Sequence, residues 1–307
     1  ALYRQHPMKK INEYDGLSSA LKSHGYTTTY FTTHDSQFDN VEGFLRANDF
    51  DNVISQKDYP SEEVKTTLGV PDDFMFSFSI PKINEISNDQ KPFFVSFMTA
   101  SDHGPYYIPD YFKPRSEGIK DQIIEYADWS LKQFMIHAAK QKWYENTLFV
   151  FLADHGAPLG SSYDIALNYF HSPFLLYSPD SALIKPKNYI KIANQIDVFP
   201  TIMGSLKLPY TNNTLGIDLL HEDRKYSVIN DDDKIGILDS SFLCIMKDKG
   251  HTLSLYNYRT KDRNDLIDQY PDKAANMAEY AKSLMQVHQY LINKDLTSLQ
   301  NSKEKLK

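Results

Sequence analysis

Two short apolar runs each end in an acid, an imidazole and a glycine. Phe93-Phe94-Val95-Ser96-Phe97-Met98 leads into Asp102-His103-Gly104-Pro105, and Leu148-Phe149-Val150-Phe151-Leu152 leads into Asp154-His155-Gly156. Carboxylate oxygen and imidazole nitrogen are what a divalent cation, or a phosphate held beside one, requires. Both runs are nearly all apolar and rich in Val and Phe, so each is expected to be a central strand covered on both faces. Ligands of open α/β sheets gather outside the carboxyl ends of strands, and a glycine there lets the backbone approach closely or turn sharply. His34 and His171 also follow stretches read as β-rich, Tyr26 to Thr33 and Asn168 to Phe170. Shared membership of one site is therefore expected for Asp154, His155, His103, His34 and His171. The plain alternative is a satisfied loop whose Asp caps a helix, and for His171 a structural turn at Ser172-Pro173.

The elements that must position these residues alternate along the chain. Leu17 to His24 has helical spacing, with Gly25 as its stop before the strand 26–33. Leu68 to Asn84 reads as mixed, with Asp72-Asp73 at a helix start and Phe74, Phe76, Phe78 and Ile80 partly buried. Ile119, Ile123, Ala127, Leu131, Phe134 and Ala138 mark an amphipathic helix. Pro173 to Tyr177 follows as a third apolar strand, and Ile196 to Leu206 as a helix with Pro200 near its start. The order predicts a sheet flanked by helices. Past Leu220 the runs 226–230, 235–238, 242–247 and 252–258 predict a small antiparallel sheet, closed by a helix over 274–292. The expected organisation is a catalytic α/β region over 1–220 and a small α+β subdomain over 221–307.

Composition bounds the function. With 307 residues and 41% hydrophobic content, the chain can bury a large core. A net charge of −7 without a basic stripe argues against a nucleic-acid surface. No run of about 18 apolar residues is present, so no membrane span is expected within this segment. The lone Cys244 is expected to be buried, and His24, His137, His251 and His288 to be structural. Asp197 reads as a helix cap, Trp129 and Trp143 as packing residues, and Lys303, Lys305 and Lys307 as a solvated tail.

His34-Asp35, Ser101-Asp102-His103-Gly104-Pro105, Asp154-His155-Gly156 and Gln195-Ile196-Asp197-Val198-Phe199-Pro200-Thr201 occur in the order and spacing of the sulfatase branch of the alkaline phosphatase superfamily. Over roughly Tyr14 to Leu220 the chain resembles the envelope phosphoglycerol and phosphoethanolamine transferases typified by lipoteichoic acid synthase, with a weaker echo at Leu255-Tyr256. The resemblance implies an α/β/α sandwich with a largely parallel central sheet. It implies a divalent metal, manganese or zinc with calcium or magnesium as alternatives, held by Asp154 and His155. His103 would contact the transferred group or assist the leaving group, and His34 and His171 would contact the head group. The implied substrate is an anionic lipid head group or a sulfated or phosphorylated glycan, at the extracytoplasmic face of the cell envelope.

One departure matters. The family's nucleophile and first acidic ligand precede the helix at Leu17, yet Ala1 to Gly16 holds no Thr, Ser or Cys, and no Cys/Ser-x-Pro-x-Arg signature occurs. The expectation is the carboxyl-terminal part of a longer enzyme, inactive alone, with any membrane helices further upstream. A non-catalytic envelope binding domain and a glycan sulfatase are the competing readings.

Overall fold

The computed structural model describes residues 14–88, 91–157 and 159–298; the terminal lysines 303, 305 and 307 lie outside them. Two compact units divide the chain, residues 1–147 and 148–307.

In the first unit, α1 (Leu17–Ser23) ends at His24, whose N–H bonds back to Leu21 and Lys22 carbonyls, and Gly25 turns the chain at φ +83°. β1 (Thr27–Thr32) follows, then α2 (Val41–Ala47), β2 (Asn52–Ile54), α3 (Asp72–Asn88), β3 (Phe93–Met98) and α4 (Ile119–Ala138). The sheet order is β2-β1-β3, all parallel, with Thr27 to Thr32 paired in step with Phe93 to Met98. The carboxyl ends of β1 and β3 thus emerge side by side. Phe31, Phe76, Phe97 and Phe134 pack ring on ring beneath that edge, with centroids 5.0 to 5.3 Å apart, joining β1, β3, α3 and α4. Such pairs contribute about 0.5–1.5 kcal/mol each beyond area burial. Trp143 is buried against Phe93 and donates to Asn84 Oδ1 at 2.8 Å, and Trp129 joins the rings of Tyr111, Phe112 and Tyr126.

In the second unit, β4 (Phe149–Leu152) pairs antiparallel with β5 (Phe174–Tyr177), with the single turn α5 (Leu167–Phe170) between them. Then come α6 (Val198–Leu206), the antiparallel meander β6 (Ser227–Asp231), β7 (Lys234–Leu238), β8 (Phe242–Lys247) and β9 (Thr252–Asn257), and α7 (Pro271–Asn293). One face of the meander buries Ala274, Met277, Ala278 and Ala281 of α7 together with Cys244, whose thiol pKa burial pushes up to about 12. Its other face packs Ile165, Leu167 and Phe170. The segment running on from Asp154-His155 is thereby anchored to the meander.

Three expectations are corrected. β3 is an edge strand among the described residues, and the residues of β3 and β4 are mostly half-exposed rather than covered on both faces, because β1 is the centre of its sheet and β4 has one partner. The stretch before His171 is the helical turn α5, not a strand. The third apolar strand runs antiparallel to β4, since a connection with one helical turn reverses the chain where a parallel partner would need a full crossover. Among the described residues no helix is long and apolar enough to cross a membrane.

Candidate functional site

At the carboxyl edge of the parallel sheet, His34 leaves β1 and His103 leaves β3. His34 is buried, with 8% exposure, and meets Phe38 edge to face at 5.9 Å. Its loop is held by Glu42, which accepts from Ser36 Oγ (2.7 Å), Lys57 Nζ (2.7 Å) and Arg46 Nε (2.9 Å). The lysine and the serine hydroxyl pull the Glu42 pKa down to about 2. Gly69, at φ +87°, lies so close to this loop that a Cβ would sit 1.8 Å from the Thr33 carbonyl, so only glycine fits there. His103 is exposed, and its N–H closes a turn on the Ala100 carbonyl at 3.0 Å. Behind it Asp72, 2% exposed, accepts from the N–H groups of Ala100 (2.9 Å) and Ser101 (3.2 Å).

In the second unit Asp154 and His155 sit on the loop after β4. Asp154 Oδ1 accepts the His155 N–H at 2.8 Å, and Asp154 Oδ2 lies 3.5 Å from His155 Nε2. The ring stacks on Tyr169 at 4.6 Å. Two braces fix the loop backbone: Gln195 Nε2 donates to the carbonyls of Ala153 (3.0 Å) and Asp154 (2.6 Å), and Asn168 Nδ2 donates to those of Ala157 and Leu159. Gly156 donates to the Tyr169 carbonyl at 2.7 Å, and a Cβ on it would come 2.2 Å from the Asn168 carbonyl. The segment 168–171 is therefore pressed against the Asp154-His155-Gly156 loop. The His171 backbone shares that contact, and its side chain is exposed.

One local geometry recurs. His34, His103 and His155 each point Nδ1 at the carbonyl of the next residue, at 2.9, 2.7 and 2.9 Å. A carbonyl can only accept, so Nδ1 carries the proton and Nε2 is the nitrogen left for chemistry. For His155 that nitrogen faces the Asp154 carboxylate. Two ligands of a tetrahedral cation with bonds of about 2.0–2.2 Å stand about 3.4 Å apart, and the pair has that separation. At 81% and 51% side-chain exposure for Asp154 and His155, an ion pair here would contribute little to stability. The donor set fits a cation but supplies two ligands, and among the described residues no cluster of three or more His, Cys, Asp or Glu is placed to complete one.

The structure brings His34 and His103 to one sheet edge, and Asp154, His155 and the His171 backbone to one loop. Asp197 stands at the N-cap position of α6 as expected, but its side chain makes no cap hydrogen bond to that helix. Fully buried, it accepts from the Asn194 and Ile217 N–H groups at 2.8 and 3.0 Å and pairs with Arg224. Sequence reasoning gave no role to Glu42, Asn168 or Gln195, and read Asp72 only as part of a helix start. Only Gln195 carried a signal, its place in the motif that opens α6.

A model of the Sulfatase family matches residues 2–208. "Lipoteichoic acid synthase-like YvgJ" of Bacillus subtilis (strain 168) is 24% identical over 241 residues, covering 70% of this chain and 38% of the relative. "Lipoteichoic acid synthase 2" of the same strain is 23% identical over 313 residues, covering 94% of this chain and 45% of the relative. The chain thus spans less than half the length of these curated relatives. Among solved structures, an alkaline phosphatase superfamily protein from Vibrio parahaemolyticus superposes with TM-score 0.76 at 25% identity, covering 89% of this chain and 68% of its own. The lipoteichoic acid synthase LtaP from Listeria monocytogenes gives 0.75 at 20% identity, covering 90% and 72%.

Proposed function

The chain belongs to the sulfatase family, and from that premise we propose that it supplies the histidine-bearing part of a metal-dependent centre that transfers a phosphoryl group, of the phosphoglycerol kind, from an anionic lipid. The observation that carries this reading is the Asp154 Oδ2 to His155 Nε2 separation of 3.5 Å, with the imidazole fixed by the Gly156 carbonyl. Asp154 and His155 would hold a manganese or zinc ion, which supplies Lewis-acid stabilisation of the negative charge on the transferred group. The remaining ligands and a Thr or Ser nucleophile would lie outside the described residues. Support comes from the absence of a third ligand among the described residues and from the greater length of the relatives.

In this scheme the nucleophile's oxygen forms a bond to phosphorus as the lipid alcohol's oxygen leaves. His103, whose Nε2 is open, would take up the nucleophile's proton there and, as the imidazolium, give it to that oxygen. His34 and His171 contact the head group. The hydroxyl oxygen of a glycerol or phosphoglycerol acceptor would then form a bond to phosphorus as the nucleophile's oxygen leaves, its proton passing by way of His103 to that oxygen. The centre is placed at the extracytoplasmic face of the envelope, where such lipids are exposed.

The test is turnover by the full-length protein with Mn²⁺ on vesicles of an anionic glycerophospholipid and, in parallel, on a sulfated glycan. Release of neutral diacylglycerol is expected. Desulfation without lipid cleavage would move the reaction to sulfuryl transfer, and binding of either without turnover would make the domain a receptor.

A further inference from the structure

α3 begins with two adjacent carboxylates, and each holds a different part of the chain that carries His103. Residues 99–118, between β3 and α4, form a long connection without a helix or strand of its own, the kind that serves a site when it is ordered. At its start Asp72 accepts from Ala100 N–H and Ser101 N–H, and Ser101 Oγ accepts from Asp72 N–H at 3.1 Å. The helix end and the loop therefore cap each other. Further along, Asp73 accepts from Tyr111 Oη at 2.6 Å and from the buried Tyr126 Oη of α4. Phe112 packs on Tyr126 and Trp129 at 5.5 and 5.4 Å, closing the second anchor.

We propose that Asp72 and Asp73 are positioning residues that clamp the His103 loop at both ends, and that protonation of Asp72 loosens the end nearest His103. The importance of this clamp for catalysis rests on the role given to His103 above; the clamp itself does not. Asp72 is the group suited to such a switch because burial raises its pKa to about 6, against the pull of the Ala100 and Ser101 donors, and the Asp102 charge adds to the rise. Asp73 and Asp102 are the charged neighbours on its own helix and on the loop; the two tyrosines that face Asp73 are pushed to higher pKa by burial and by that carboxylate. The sign follows: a raised carboxylate pKa means the folded state takes up a proton between the ordinary Asp value of about 3.9 and 6. Above pH 6 the ionised acceptor holds Ala100 and Ser101 tightly, and below it the neutral acid holds them less.

The 307-residue chain tests this without any assay of turnover. Protection of the Ala100 and Ser101 amides, with the intrinsic pH dependence of exchange divided out, is followed by NMR from pH 4.5 to 8. It is expected to fall below a midpoint near 6. Asp72→Ala should speed exchange at the two amides at least tenfold while leaving the Tyr126 amide of α4 alone. Asp72→Asn, which keeps an acceptor but cannot ionise, should show the looser protection of the protonated wild type at every pH and lose the midpoint. Should Asp72→Ala not fold, Asp72→Asn decides the matter, since a midpoint near 6 that persists in it overturns the switch. Tyr111→Phe should increase the mobility of residues 106–113, and no change there overturns the second anchor. In the full-length protein Asp72→Ala should lower kcat about tenfold with little change in KM. Exchange results as expected with an unaltered kcat would keep the clamp and reject the role of His103.

Discussion

Asp154→Ala in the full-length protein is expected to lower turnover by about a thousandfold or more and to abolish retention of Mn²⁺ or Zn²⁺ through dialysis. Charge stabilisation by a bound cation supplies several kcal/mol to a phosphoryl transfer, and about 4 kcal/mol is a factor of a thousand. Asp154 provides one of the two donors brought together here among the described residues, and its second oxygen orients the His155 backbone at 2.8 Å. Asp154→Asn separates these contributions. It keeps an acceptor for the His155 N–H but brings no negative charge, so the metal should be lost while the loop stays in place. Wild-type turnover with unchanged metal content in either variant would discard the assignment.

Asp197→Ala should be the most destabilising of the substitutions named here, at about 3–5 kcal/mol, the cost of leaving one partner of a buried ion pair alone. The Arg224 side chain is 4% exposed and Asp197 fully buried. Losing the carboxylate strands the guanidinium and orphans the Asn194 and Ile217 N–H groups. For a unit of this size that corresponds to a fall in Tm of about 10 °C, measured by calorimetry on the 307-residue chain. The damage should reach the site as well, because Gln195, in the turn that ends at Asp197, braces Ala153 and Asp154. A double replacement of Asp197 and Arg224 by leucine and methionine should recover much of the loss, as apolar packing commonly replaces a buried pair at little cost. A shift under 2 °C for Asp197→Ala would show that the pair is dispensable.

Much of this fold was legible where local patterning and burial agree. The turn at His24-Gly25, the helix 119–138 and the four strands after Leu220 all carry apolar spacing matched to their period and turn residues at their ends. α3 read as mixed because its aromatic residues alternate at 74, 76 and 78, and because Pro81 lies inside it. α2 and β2 are short, and tertiary packing of Val41, Leu45 and Val53 makes them. The direction of β5 depends on how the chain from 153 to 173 turns back, which periodicity does not encode. At the site, Asp154-His155-Gly156 could be found because chemistry and conformational need coincide in adjacent residues. Asp72 could not, since its partners stand 28 and 29 residues away and nothing in an Asp-Asp pair announces them.

Paramagnetic Mn²⁺, titrated into the 307-residue chain while backbone and imidazole NMR signals are followed, probes the cation-binding pair without needing turnover or the rest of the ligand set. Broadening is expected to begin at Asp154, His155 and Gly156, with the Tyr169 ring that stacks on His155 close behind, and to vanish from these residues in both Asp154→Ala and His155→Ala. Broadening centred on other residues, or left intact by both substitutions, would contradict a metal held by this acid and imidazole and remove the basis for the transfer chemistry.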